Sequence, residues 1–151
     1  MNKEDYKRIL SIAIQTEING NEYYQAMGKK VTDPSVKQLF NIMAEESLSH
    51  IRKLGAYLKT DEQPIEVDEA IDYQIAETIT KPEISEDITF IEAVALAMKK
   101  EQEVMDMFNV MAAFNRDAEQ KQMFAALAEM AKGHMAKLEE LYYDFACAGD
   151  W

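Results

Sequence analysis

Along most of the chain, apolar residues recur at alternating spacings of three and four, the period of one helical face. From Lys3 to Lys30 the shared face carries Leu10, Ala13, Glu17, Gly20, Tyr24 and Met27. Thr32-Asp33-Pro34 then reads as a stop and a restart. Asp33 suits the cap of a second helix and Pro34 its first turn. That helix is expected to run to about Thr60, with Val36, Phe40, Met43, Ser47, His50 and Leu54 on one face. The pattern then fails: residues 61–88 are acidic, contain Pro64 and Pro82, and carry no long stripe. Only a short helix over Val67 to Glu77 is expected there. Thr89 with Glu92 forms a capping box for a third helix, whose face is Val94, Ala97, Glu101, Val104, Phe108 and Met111. After a turn at Asn115 to Asp117, with Asp117 as cap, the fourth face is Phe124, Leu127, Ala131, His134 and Leu138, ending near Ala146.

Two tightly joined helices, one long crossover and two more tightly joined helices define the fold class. The chain is expected to be an all-α four-helix bundle of two antiparallel hairpins, with the single long crossover of ferritin-like proteins. One domain, 1–151, fits the length. The halves 10–60 and 94–144 also superpose without a gap at an offset of 84 residues. Ala13 falls on Ala97, Glu17 on Glu101, Asp33 on Asp117, Phe40 on Phe124, Glu45 on Glu129, His50 on His134, and Leu54 on Leu138. Tyr24 falls on Phe108. An ungapped register over both hairpins points to an internal duplication and a pseudo-twofold axis.

Composition narrows the partners. A formal net charge of −12 disfavours nucleic acid and anionic membranes. No apolar run reaches signal-peptide or membrane-spanning length, so the expected location is the cytoplasm. The single cysteine, Cys147, excludes an internal disulfide and a cysteine-ligated metal.

Each predicted core stripe carries one titratable residue, namely Glu17, His50, Glu101 and His134, and the two histidines are the chain's whole complement. Counting along the helices at about 1.5 Å per residue puts these four, with Ser47 and Ala131, roughly 22–27 Å from the hairpin turns. They should meet at one level. Two carboxylates buried together need a cation, shared protons or histidine partners.

The segments Glu17–Tyr24, Ala44–His50, Glu101–Phe108 and Ala128–His134 resemble the rubrerythrin branch of the ferritin-like superfamily, and the resemblance covers both hairpins. It implies two irons, held by a glutamate from the first and third helices and a Glu-x-x-His pair from the second and fourth. It also implies peroxide-reductase, oxidase or iron-handling activity, and commonly a homodimer. Glu17 and Glu101 match the lone glutamates, and His50 and His134 match the histidines. Ser47 and Ala131 stand where the two bridging glutamates belong, and Val104 stands where a second third-helix glutamate does. Glu46, one residue from Ser47, is turned about 100° around the helix.

The remaining set changes the expected chemistry. Two carboxylates balance one divalent ion, because histidines ligate as neutral groups. Two carboxylates and two imidazoles suit zinc, or iron with added waters. The expected cofactor is therefore one iron or zinc per chain, or none. The site would be Glu17, His50, Glu101 and His134, and any catalysis would be that of a rubrerythrin-type oxidoreductase with an unidentified redox partner. The alternative is a metal-free ferritin-like scaffold acting through protein–protein contacts.

The other conspicuous residues read as structure. Ser47 and Ala131 allow close helix packing, and the ten methionines are adaptable core filler. Tyr24 is expected to pack in the core, since its equivalent is Phe108, with a redox or hydrogen-bonding role near the site as the alternative. Tyr142, Tyr143, Phe145 and Trp151 are expected to seal the bundle end or a dimer contact, and Cys147 to be an inert thiol. The runs Glu45-Glu46 and Glu139-Glu140 are expected to be solvated.

Overall fold

The structure, a computed structural model, describes residues 1–60 and 63–147; Trp151 and the Cys147 side chain lie outside them. It is all-helical among those residues. The helices are α1 (Lys3–Lys30), α2 (Pro34–Tyr57), α3 (Phe90–Ala113) and α4 (Ala118–Cys147).

Local chemistry sets the boundaries. Asn2 caps α1 by accepting from the Asp5 N–H at 2.8 Å, with Glu4 and Asp5 in the first turn and Lys29 and Lys30 in the last. That charge order favours the helix dipole at both ends. Asp33 caps α2 through the Ser35 and Val36 N–H groups, with Pro34 in the first turn. Thr89 and Glu92 form the capping box of α3 in both directions. Asp117 accepts from the Gln120 N–H at 2.9 Å at the start of α4. The second helix stops three residues short of Thr60, where Leu58, Lys59 and Thr60 donate to the carbonyls of Gly55, Ala56 and Tyr57 in tightened turns.

The core forms two clusters stacked along the bundle. One joins Tyr6, Ile9, Leu10 and Ala13 of α1 to Leu54 of α2, Phe108 and Ala112 of α3, and Met123 to Ala128 of α4. The other joins Tyr24, Val36 to Ala44 of α2, Ala93 to Met105 of α3, and Ala131, Met135 and Leu138. The start of α1 is thus level with the start of α4 and with the ends of α2 and α3. So α1 runs parallel to α4 and antiparallel to α2 and α3, as a full-length crossover requires. The polar residues of the stripes lie between the clusters.

The crossover is not helical over Val67 to Glu77, contrary to the expectation from sequence. It is extended, with one 3-10 turn at Ala76–Thr78 and Gln74 at φ 57°. Its N–H groups find partners on α4 instead of four residues back. Ala70 donates to Glu129 at 2.8 Å. Tyr73, Ile75 and Ala76 donate to Glu139 at 3.3, 2.7 and 3.1 Å. Glu139 is 0% exposed, which overturns the expectation that Glu139-Glu140 is a solvated run. Glu140 is exposed and accepts from the Tyr73 hydroxyl at 2.8 Å. A buried carboxylate requires such donors, and three backbone N–H groups satisfy this one.

At the far end Phe145 packs on Phe90, with ring centroids 4.6 Å apart, and Tyr142 packs against the core. Tyr143 is exposed. Of the described terminal aromatics, Tyr142 thus packs against the core, while Phe145 covers Phe90 at the start of α3 and stays more than half exposed. Among the described residues no helix is long and apolar enough to cross a membrane.

Candidate metal centre

Each hairpin supplies one glutamate and one histidine to the layer between the core clusters. Glu17 on α1 faces His50 on α2, with Oε2 3.4 Å from Nδ1. Glu101 on α3 faces His134 on α4, with Oε2 3.6 Å from Nδ1. The first distance is a long hydrogen bond, and the second is a charge contact beyond hydrogen-bond reach. The two pairs meet through their imidazoles, which stack at 3.9 Å between centroids and 10° between planes. The four residues singled out in the sequence thus form one cluster across all four helices.

The cluster is not symmetric. Side-chain exposure is 20% at His50 and 16% at Glu17, against 13% at His134 and 12% at Glu101, so the second pair is the deeper. The Tyr24 hydroxyl donates to Glu101 Oε1 at 3.2 Å. Tyr24 is 1% exposed and stacks on Phe40, so it packs as expected and also acts as a polar tether. Burial, and then the adjacent Glu101 carboxylate, push its phenol well above its ordinary range. The sequence leaves a hydrogen-bonding role open but favours packing, because its equivalent, Phe108, has no hydroxyl; the structure shows both.

His134 lies under opposed influences. Burial disfavours its charged form, but Glu101 beside it, with Glu17 and Glu46 beyond, outweighs burial and holds it above the ordinary histidine range. Glu46 acts on the cluster only as a nearby charge, in keeping with its rotated position.

Three ligand atoms, one each from Glu17, His50 and His134, lie within 4.8 Å of one another. Glu101 does not join that group. The donor set does not fit a carboxylate-bridged pair of metals. Ser47 and Ala131 are buried on the inner faces of α2 and α4, and neither brings a carboxylate. A single divalent ion fits, since one carboxylate and two neutral imidazoles match the ligands of zinc or iron sites with an open position. In the tetrahedral case ligand atoms sit roughly 3.3–3.5 Å apart, so modest side-chain rotation, including unstacking of the imidazoles, would close the group.

A cavity of about 250 Å³ opens beside the carboxylates, between α1 and α3. Thr16, Gly20, Ser47 and Val104 line it with Glu17 and Glu101. Gly20 lies against Ser47, where an added Cβ would sit 3.6 Å from the hydroxyl. Small residues on both helices thus allow close approach and leave a route from solvent to the carboxylate side.

No curated protein matches the chain. A solved structure of a hypothetical protein from Pyrococcus furiosus is similar, at 23% identity and a TM-score of 0.49 over 93% of this chain and 90% of that one. The family model for rubrerythrin matches residues 8–142, which takes in all four helices and every residue of the cluster. The chain belongs to the rubrerythrin family.

Proposed function

We propose that this protein holds one divalent metal ion per chain in the layer between its core clusters, as a rubrerythrin-family protein with a reduced site. The observation that carries this reading is the convergence of ligand atoms from Glu17, His50 and His134 within 4.8 Å. Glu101 stands beside them, so two carboxylates balance the charge of one ion rather than two. Bound iron would supply one-electron redox chemistry or a site for peroxide. The cavity between α1 and α3 is wide enough for water or a small oxidant, and it reaches the carboxylates first.

The second reading is a metal-free scaffold that works through its surface. It is favoured by the pairing within the cluster, because no fully buried side-chain polar atom among the described residues lacks a partner. Metal content separates the two. Untagged protein is incubated with iron, zinc and manganese, desalted, and measured by elemental mass spectrometry. About one ion per chain, lost when His50 and His134 are changed to Ala, is the expected outcome. Two irons per chain would establish a dinuclear centre. No retained ion would leave the scaffold reading. The family's dimeric assembly is proposed on the resemblance alone, and sedimentation velocity tests it.

A further inference from the structure

The two glutamates of the cluster are placed alike in their hairpins but are not held alike. Glu101 Oε1 accepts a hydrogen bond from the buried Tyr24 hydroxyl at 3.2 Å, and its Oε2 makes a charge contact with the facing His134 Nδ1 at 3.6 Å. Glu17 has one engaged oxygen, Oε2 toward His50; among the described residues its Oε1 has no hydrogen-bond partner. The difference follows from one pair of residues. Tyr24 on α1 reaches Glu101 on α3, whereas Phe108, its equivalent on α3, offers Glu17 no hydroxyl. Glu17 is also the more exposed carboxylate, and it is the one whose oxygen groups with both imidazoles.

We infer that Glu17, His50 and His134 are the metal ligands and that Glu101, tethered by Tyr24, is a positioning residue that orients His134 instead of ligating. This rests on the single-ion reading above. The physical reason is that a carboxylate facing a histidine at Nδ1 favours the ring orientation that leaves Nε2 to bind a metal. A carboxylate tethered by a buried hydroxyl supplies such an anchor. One with a free oxygen can turn to an ion without breaking a buried hydrogen bond. The hydroxyl at Tyr24 thus makes a near-symmetric cluster into three ligands and one support.

The test is titration with cobalt(II) and zinc, read by cobalt visible absorption and by ion retained per chain, on the wild type, Glu17→Gln, Glu101→Gln and Tyr24→Phe. Circular dichroism checks that each variant is folded. Glu101→Gln and Tyr24→Phe are expected to retain one ion, to bind it about 10–100-fold more weakly, and to keep the wild-type cobalt band positions, as a support outside the ligand set should. Glu17→Gln is expected to shift the bands and lose the ion on desalting. Loss of the ion from Glu101→Gln as complete as from Glu17→Gln, or shifted cobalt bands in Glu101→Gln, would overturn the assignment while leaving the single-ion reading intact. Failure of the wild type to take up either metal would overturn both. Tyr24→Phe keeps the inference testable should Glu101→Gln not fold, because a ligating Glu101 freed of its tether would bind the ion as tightly as before or more so.

Discussion

The two hairpins each place a glutamate and a histidine at matching positions, yet only the second has its outer face built over. Along α4, Glu129 and Glu139 take up the N–H groups of the crossover, and Gly133 lies beside Ala70. Along α2, the equivalent of Glu129 is the exposed Glu45, and the equivalent of Glu139 is Gly55, beside which a Cβ would meet nothing within 4 Å. The single crossover can cover only one of two like faces. The covered hairpin accordingly has the deeper Glu–His pair. Hairpins with matching Glu–His pairs can therefore hold chemically unequal sites, because the connection between them covers one and not the other.

The contrast is broken most strongly at Glu139. Glu139→Gln replaces a carboxylate by a group that turns donors toward donors, so a cost of about 2–3 kcal/mol is expected in urea unfolding. Glu140→Gln, next along the chain but exposed, should stay within about 0.5 kcal/mol of wild type. Equal effects at the two positions would mean that the crossover is not held by Glu139.

An intermediate effect is expected at His134. Its ionisation is held above the ordinary histidine range in the folded protein, so the stabilisation is complete below the unfolded value of about 6.5. It is lost as pH rises through the folded value. Metal-free protein should become less stable from about pH 6.5 upward, and His134→Gln should flatten that slope in thermal melts. Divalent metal should show the opposite trend, binding more tightly as pH rises, because the ligand is the neutral imidazole. A slope unchanged in His134→Gln would place the titrating group elsewhere.

The smallest expected effect sharpens the comparison from the bare side. Gly55 lies inside α2 with open space around it, so Gly55→Ala should stabilise by about 0.5–1 kcal/mol through helix propensity alone. A loss of stability would mean that this face is covered in solution.

The sequence by itself determined the helices, the caps of the second, third and fourth, and the level at which the four polar residues meet. Those features depend on a repeating period and on side chains bonding to near neighbours, both of which are local. The resemblance to rubrerythrins was legible for the same reason, since its residues keep fixed spacings within each helix. Only the tertiary structure decided the path of the crossover. Its extended form depends on carboxylates about 60 residues away, and no local signal separates Glu139 from the solvated Glu140. The tertiary structure also decided which carboxylate is tethered by a hydroxyl. The Tyr24 hydroxyl meets Glu101 across a sequence separation of 77 residues, and only assembly of the whole bundle brings them together. Period and spacing specify which face a residue occupies; what it touches there depends on the other helices.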